Sequence, residues 1–232
     1  MLVLALDTTN RQGSCALAEN SEVRLEWAGD AEQPQATRLP GDLRRVLEQS
    51  GHALADIDLF AVATGPGSFT GLRVGIATMQ GLAFALNKPL IGVSAFDALA
   101  RLAADPAAST GAVARTAVWI DAWRGEVYAA LYEGQRLIEP PTVERPEVIL
   151  KRLTGHVLFI GDAVDAQRSL IRTACGDAAR LAQPTAPLLA GTMARMAYEV
   201  AQDGVHPSPD AIAPLYVRRP DAEIARDARA TH

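Results

Sequence analysis

Cysteine and histidine, two of the residue types that most often hold metals, are scarce in this sequence of 232 residues. The two cysteines, Cys15 and Cys175, stand far apart in apolar surroundings, and neither belongs to a CxxC motif. The four histidines include no pair at the spacing of metal ligands on a helix or a hairpin. We therefore expect two buried, reduced thiols and no zinc or iron site.

Long apolar runs and an excess of basic charge are also missing. No apolar stretch approaches the roughly 20 residues that span a bilayer, and Met1 leads into an apolar strand without a basic leader segment. The formal net charge is −5 at pH 7, whereas independent binding to nucleic acid normally requires a basic face. We expect a cytoplasmic protein that does not contact membranes and that reaches RNA only through a partner.

The chain instead contains 49% hydrophobic residues in a pattern of alternating strands and helices. Three short β-compatible segments in residues 2–27 predict an antiparallel meander. Apolar spacing then predicts helices over residues 35–50 and 71–86, with a buried strand at residues 59–64 between them. A strand at residues 90–93 and a helix at residues 95–104 complete this half.

A run of small and helix-breaking residues at 105–111 separates this half from a second one of similar design. The predicted strands are residues 116–121, 126–132, 135–138 and 157–160, and the predicted helices are residues 147–153, 163–175 and 188–203. We expect an N-terminal lobe over residues 1–104 and a smaller C-terminal lobe over residues 105–232. Residues 207–232 either return to the first lobe or stay with the second.

The two halves share a weak internal repeat. In each half a strand that ends in aspartate turns back into a second strand, at Asp7 and at Asp121. Two similar lobes would place these carboxylates at equivalent ends of two sheets, facing a shared cleft. There the carboxylate of Asp7 and the hydroxyls of Thr8 and Thr9 either hold a hydrated Mg²⁺ and a phosphate or form a tight turn.

The most tightly specified segment reads Gly65-Pro66-Gly67-Ser68-Phe69-Thr70-Gly71 and joins a predicted strand to a predicted helix. Gly67 can take the positive φ that a Cβ forbids, Pro66 fixes its own φ, and Ser68 or Thr70 can cap the first amides of the helix. A helix start of this kind attracts anions, but the spacing fits neither a Walker A loop nor a dinucleotide fingerprint. The pattern leaves open a ligand-binding loop or a rigid turn.

The helix after this loop is rich in small residues, including Gly71, Gly75, Thr78 and Gly81. Glycine inside a helix costs about 1 kcal/mol relative to alanine, so these residues indicate that another element packs closely against the helix. The pattern leaves open whether that element belongs to the same chain or to a second one.

Five motifs occur in order along nearly the whole chain, at residues 4–9, 65–75, 92–94, 120–128 and 214–218. The glycine loop and the hairpin Asp121-Ala122-Trp123-Arg124-Gly125-Glu126-Val127-Tyr128 are highly specific in combination. Together the motifs resemble the TsaB (YeaZ) family of bacterial tRNA threonylcarbamoyladenosine biosynthesis proteins.

The resemblance implies a two-lobed, actin-like ATPase fold of the ASKHA (RNase H-like) class, with mixed five-stranded sheets flanked by helices. It also implies a non-catalytic scaffold and activator that binds and stabilises the paralogous transferase TsaD. In that system a threonylcarbamoyl group is transferred to N6 of adenosine 37 in tRNAs that read codons beginning with A. A TsaE-like ATPase completes the assembly. The free chain would be a homodimer, would require no cofactor, and would contact tRNA only through the complex.

In the family, the two helices of the first lobe pair with those of TsaD or of a second copy. The interface residues that this implies here are Leu39, Leu43, Gly71, Arg73, Gly75, Thr78, Met79 and Leu82. The candidates for nucleotide contact are Asp7, Thr8, Gly65, Gly67, Ser68 and Asp121. Whether ATP or ADP binds at the joint with the partner stays open.

The sequence also departs from its relatives. TsaD-like members carry a His-x-x-x-His metal pair on the first of these helices, whereas residues 32–37 contain no histidine here. The family often has serine at the position of Thr9 and a basic residue at that of Thr64, and Gly161-Asp162 is a poor match to an adenosine loop. The alternative function is an actin-like ATPase or a small-molecule kinase. A metallopeptidase is suggested only by an older label of the paralogue.

Overall fold

The computed structural model describes residues 1–104, 115–205 and 207–217. Its strands are β1 (Leu2–Asp7), β2 (Ser14–Glu19), β3 (Glu22–Ala28), β4 (Leu59–Gly65), β5 (Leu90–Ser94), β6 (Arg115–Asp121), β7 (Val127–Glu133), β8 (Arg136–Glu144), β9 (Val157–Ile160) and β10 (Ala179–Leu181). Its α-helices are α1 (Gln35–Ser50), α2 (Phe69–Leu86), α3 (Ala95–Ala104), α4 (Pro146–Leu150), α5 (Arg168–Cys175) and α6 (Ala190–Gln202). The breaker-rich residues 105–111 lie outside the described residues, so the division of the chain at residue 104 stays a prediction.

The strands form two five-stranded sheets with the same topology. The first has the order β3-β2-β1-β4-β5, and the second, taken from its opposite edge, has the order β8-β7-β6-β9-β10. In each sheet three strands form an antiparallel meander, and the other two run parallel to its first strand. Strands β6 to β10 therefore repeat β1 to β5, and the internal repeat is confirmed.

The central strands carry apolar side chains on both faces, so helices cover both faces of both sheets. Helices α1 and α2 pack on the outer face of the first sheet, and α4 and α5 on the outer face of the second. Helices α3 and α6 fill the space between the sheets. The predicted α/β architecture, two mixed five-stranded sheets flanked by helices, is confirmed.

Helix α6 belongs to the second half of the sequence but packs against β1, β2 and β4 of the first sheet. Its first amides have no side-chain cap of their own. Instead Ser14 Oγ accepts hydrogen bonds from the amides of Leu189 (3.3 Å) and Ala190 (3.0 Å), and Glu26 Oε1 accepts one from Gly191 (2.8 Å). Side chains of β2 and β3 thus satisfy a helix terminus that would otherwise bury free donors.

Three predicted boundaries in the second half are wrong, and one short strand was missed. Strand β8 continues to residue 144 instead of ending at 138, because an edge strand tolerates the Pro140-Pro141 pair at a bulge. Helix α4 ends at residue 150, and α5 begins at residue 168 because residues 163–167 form turns with the same apolar spacing. The short strand β10 was not predicted, since three residues carry no measurable periodicity.

Candidate functional site

A cleft of about 420 Å³ lies where the carboxyl ends of β1 and β6 face each other. One wall is the end of β1 with the loop that follows it, residues 8–13, which we call the cleft loop. The other wall comes from the β6–β7 hairpin, the turn after β9 and residues 186–188. Asp7 and Asp121 line the same cleft, as the internal repeat predicts.

Asp7 ends β1 and is only 2% exposed. Its Oδ1 accepts a hydrogen bond from the amide of Thr9 at 2.9 Å. Burial raises the pKa of this carboxyl group above its ordinary value, and the hydrogen bonds from Thr9 offset part of that shift. Thr8 is fully buried beneath the cleft, and its hydroxyl has no hydrogen-bond partner within the described part of the chain.

Asp162, in the turn after β9, is a third carboxylate in the cleft. Its Oδ1 accepts a hydrogen bond from the amide of Asp121 at 2.9 Å. Burial, together with the charges of Asp121 and Asp7 and against the lowering effect of the hydrogen bond from the Asp121 amide, raises the pKa of Asp162 from 3.8 to about 6. Ionisation is therefore disfavoured at Asp162 as it is at Asp7.

The β6–β7 hairpin places Trp123 at the cleft. Trp123 and Arg124 both adopt left-handed backbone conformations, with φ of 57° and 56°, and Asp121 Oδ1 accepts a hydrogen bond from the Trp123 amide. The indole is 47% exposed. Two successive left-handed residues other than glycine cost about 1–2 kcal/mol each, so the hairpin holds the aromatic ring in place at some expense in stability.

The charge of the cleft limits what it can bind. Three of the residues that line it are aspartates, and Arg11 is the one basic residue among them. Such a field favours cations and groups that donate hydrogen bonds, and it repels a phosphate that arrives without a bound cation.

The glycine loop does not line this cleft. Gly67 packs against Thr9, since an added Cβ would lie 2.7 Å from the Thr9 Cβ, and the Ser68 amide donates to the Thr9 carbonyl at 2.6 Å. Ser68 Oγ accepts from the amide of Gly71 at 3.2 Å, so Ser68 is the cap of the two candidates, Ser68 and Thr70. Gly67 and Ser68 thus contact Thr9 just after the end of the first strand, whereas Gly65 lies beside Leu72 and the carbonyl of Leu215. None of the three lines the cleft with the carboxylates.

A second cavity of about 430 Å³ lies between the first turns of α1 and α2. Ser68, Thr70 and Gly71 line it on the α2 side, and residues 33–36 line it on the α1 side. Asn10 and Arg11 of the cleft loop line both this cavity and the cleft. The cleft loop therefore separates the two spaces.

Most residues expected at a partner interface are buried inside this chain, which corrects that expectation. Leu39, Leu43, Gly71, Gly75 and Met79 face the first sheet or the cleft loop. Their helical spacing places them on the same stripe as the core residues, so they are unavailable to a partner. Of the remaining three, Arg73 is exposed, and Thr78 and Leu82 are half-buried.

The exposed side of α2 is nevertheless largely apolar. We call it the outer face of α2, and it consists of Phe69, Arg73, Ala77, Gly81, Phe84 and Ala85. Phe84 is 84% exposed, and nothing lies within 4 Å of a Cβ added to Gly81. The exposed side of α1, in contrast, carries charged and amide side chains such as Arg44 and Glu48.

Helix α2 is also long and apolar enough to cross a membrane by length and composition, and one third of its 18 residues is buried. Core helices of soluble proteins pass the same test, so the observation is a weak indication. It makes the expected absence of membrane contact an open prediction.

Residues 207–217 run along the first sheet and α2. Gln80 Nε2 donates to the carbonyls of Pro209 (2.8 Å) and Ile212 (3.0 Å), and the Leu215 amide donates to Thr64 at 2.7 Å. The Tyr216 hydroxyl accepts from Arg73 Nε at 3.2 Å. Tyr216 therefore lies beside the outer face of α2.

The sequence did not single out Asp162 and Trp123 as lining residues. A signal for Asp162 exists, because it follows the end of strand β9 closely, much as Asp7 ends β1. Trp123 carries no such signal, since its exposure depends on the backbone conformation of the hairpin.

The sequence and the fold were compared with known proteins. A sequence model of the family described as TsaD, tRNA N6-adenosine threonylcarbamoyltransferase, matches residues 30–226. The tRNA threonylcarbamoyladenosine biosynthesis protein TsaB of Escherichia coli (strain K12) is 34% identical over 169 residues, which cover 69% of this chain and 71% of that protein. The chain belongs to the TsaB (YeaZ) family. The family assignment made from the motifs is thus confirmed, and the TsaD model fits the paralogous branch.

Solved structures agree with the TsaB (YeaZ) assignment. YeaZ from Pseudomonas aeruginosa superposes with a TM-score of 0.73 at 29% identity and covers 93% of this chain and 99% of its own. Component A of (R)-2-hydroxyglutaryl-CoA dehydratase from Acidaminococcus fermentans has a TM-score of 0.57 at 11% identity, over 87% of this chain and 99% of its own. The second likeness concerns the fold alone and agrees with the actin-like architecture.

Proposed function

We propose that this chain takes part in tRNA threonylcarbamoyladenosine biosynthesis as a non-catalytic scaffold and activator. It binds and stabilises a TsaD-like paralogue, which transfers the threonylcarbamoyl group to N6 of adenosine 37 in tRNAs that read codons beginning with A. A TsaE-like ATPase joins the assembly, which works in the cytoplasm. The family assignment supports the process, and the outer face of α2 supports the scaffold role.

The outer face of α2 is the observation that carries the proposal. This face is apolar except for Arg73, whose guanidinium group lies 3.8 Å over the Phe69 ring. Its exposed apolar surface costs free energy as long as water covers it. Ala77 and Gly81 make its middle flat, which allows the backbone of another helix to approach closely, while Phe69 and Phe84 flank that middle. The same face is suited to a second copy of the chain, so we propose a homodimer when the partner is missing.

The electrostatics of the chain support an indirect contact with tRNA. A formal net charge of −5 opposes the phosphate backbone, so a basic surface has to come from another subunit. The three aspartates of the cleft likewise repel the phosphates of a free nucleotide. The proposal therefore requires no cofactor of this chain, and it allows ATP or ADP at the joint with the partner, where the partner can supply cationic groups.

Docking can be tested with one exposed alanine on each side of the molecule. Ala77→Arg places a charge in the middle of the outer face of α2, and Ala174→Arg makes the same change on exposed helix α5 of the second sheet. Calorimetric titration with the TsaD-like protein of the same organism should show at least a tenfold weaker association for Ala77→Arg and no change for Ala174→Arg. Equal weakening, or none, would contradict docking on α2.

The second candidate is an actin-like ATPase or a small-molecule kinase. The observation in its favour is that Asp7 and Asp121 face each other across one cleft at the ends of equivalent strands. ATP turnover by the purified chain, lost in Asp7→Ala while Asp177→Ala on the outer side retains it, would support this reading against the scaffold.

A further inference from the structure

Helix α1 holds the backbone of the cleft loop through a glutamine in its first turn. Gln35 Nε2 donates to the carbonyl of Asn10 at 2.6 Å and to that of Thr8 at 3.3 Å. Both acceptors are main-chain carbonyls, so α1 fixes the position of the loop backbone directly and not through the loop side chains. Gln35 itself is half-buried beside the cavity between α1 and α2.

One turn later, a buried arginine of α1 holds the rest of the cleft loop. Arg38 Nη2 donates to the carbonyls of Gln12 and, at 3.3 Å, Arg11, while Nη1 pairs with Asp42 on the same helix. The Arg38 side chain is only 5% exposed, so the ion pair between Arg38 and Asp42 lies in a medium of low dielectric constant. Electrostatic attraction is strong there and favours a single geometry of the pair. Two side chains of α1 therefore bind four carbonyls of the cleft loop.

Helix α2 holds the same loop from the opposite side. The amide of Ser68, which caps α2, donates to the carbonyl of Thr9 at 2.6 Å. The buried side chain of Thr8 fits against Gly75, where an added Cβ would lie 3.0 Å from its Cγ2. The cleft loop thus contacts both helices of the outer layer.

The first turns of α1 and α2 meet where the Gln35 side chain lies against Gly71, since a Cβ added to Gly71 would lie 2.5 Å from Gln35 Oε1. The cavity of about 430 Å³ opens beside this contact and leaves room there, whereas close packing all round would resist a shift of the two helix ends, and the cleft loop lies between this cavity and the cleft. A shift of either helix is transmitted to the carbonyls of residues 8–12, because the hydrogen bonds described above attach them to it.

We propose that the cleft loop couples partner docking on the outer layer, α1 and α2, to the shape of the cleft. Docking on the outer face of α2 fixes α2 relative to α1, and Gln35 and Arg38 pass that constraint to the loop that carries Asn10 and Arg11 into the cleft. Gln35 and Arg38 are positioning residues in this scheme. The inference rests on the proposed function, since it requires a partner on α2. Linkage requires the reciprocal effect, so a ligand of the cleft changes partner affinity by the same factor.

Hydrogen exchange measured by mass spectrometry on the full chain, with and without the TsaD-like protein, tests the coupling. The amides of Thr9 and Gly13 are bonded within the loop, to Asp7 and Asn10, and report its opening. A saturating partner should slow exchange of residues 8–13 at least fivefold in the wild type. In Gln35→Ala the slowing should fall below twofold while the partner still binds within about threefold of its wild-type affinity.

Gln49→Ala is the matched control, because Gln49 is an exposed glutamine at the far end of the same helix. It should retain both partner binding and loop protection. Docking without any change in loop exchange would overturn the coupling and leave the scaffold role intact. Equal loop protection in the wild type and Gln35→Ala would overturn the assigned route. Failure of the partner to bind at all would overturn both proposals.

Discussion

Alanine substitutions at two glycines of α2 should have opposite effects on stability, although both glycines lie inside the same helix. At Gly75 an added Cβ would lie 3.0 Å from Cγ2 of Thr8 and closer still to its hydroxyl oxygen. Thr8 is fully buried, so it has no solvent space into which to move. At Gly81 nothing lies within 4 Å of an added Cβ.

The expected free energies follow from two opposing effects. Alanine is better than glycine inside a helix by about 1 kcal/mol, and only this gain applies at Gly81. At Gly75 the same gain is opposed by overpacking, which costs about 1–3 kcal/mol in a close-packed interior. The overlap involves two atoms of a stiff β-branched side chain, so we expect the upper end of that cost. Gly81→Ala should raise the free energy of unfolding by about 1 kcal/mol, and Gly75→Ala should lower it by about 2 kcal/mol.

Urea unfolding followed by circular dichroism measures both changes. A double-mutant cycle with Thr8→Ala, which removes the two overlapping atoms, should give a favourable coupling of at least about 1 kcal/mol with Gly75→Ala. A Gly75→Ala variant as stable as the wild type, or a coupling near zero, would refute the contact between α2 and the cleft loop. Loss of stability in Gly81→Ala would refute the assignment of an open outer face.

Three further changes test the cleft and the core. The pKa of Asp162 is raised from 3.8 to about 6 in the folded chain, so ionisation of this group destabilises the fold. This loss of stability is absent well below pH 3.8, grows as the pH rises, and is complete above pH 6. In urea unfolding, Asp162→Asn should therefore be more stable than the wild type by about 2–3 kcal/mol at pH 8 and by less than about 1 kcal/mol at pH 4. Equal differences at the two pH values would contradict this. Arg38→Met should lower the free energy of unfolding by about 3–5 kcal/mol, because it leaves Asp42 buried without its partner. Adding Asp42→Leu should recover part of that loss, since the carbonyls of Arg11 and Gln12 still lack their donor; a double variant no better than the single one would contradict this. Leu43→Ala should lower the free energy of unfolding by about 2–5 kcal/mol, since Leu43 is 6% exposed, and a negligible shift would place it outside the core.

The topology was largely accessible from the sequence, because period-2 and period-3.6 patterns mark most elements and the repeated strand-aspartate-strand pattern relates the two halves. That pattern predicts Asp7 and Asp121 across one cleft, and both line it in the structure. Local patterns failed where an element is very short or where a proline pair occurs in an edge strand, as in β10 and β8.

The role of each glycine in α2 was only partly accessible. Gly75 and Gly81 are six residues apart, so they point to different sides of the helix, and this much follows from the helical period. What the sequence did not reveal is that Thr8, distant in sequence, occupies the space beside Gly75. For the same reason the packing of residues 207–217 along α2 could not be chosen from local pattern: the bond from Leu215 to Thr64 is a long-range contact.

The most direct test of the scaffold role is reconstituted threonylcarbamoylation of tRNA, with the TsaD-like and TsaE-like proteins of the same organism and an activated threonylcarbamoyl donor. The account predicts modification of adenosine 37 only when this chain is present, a loss of at least tenfold with Ala77→Arg, and full activity with Ala174→Arg. Modification in the absence of this chain, or equal activity of both variants, would contradict it.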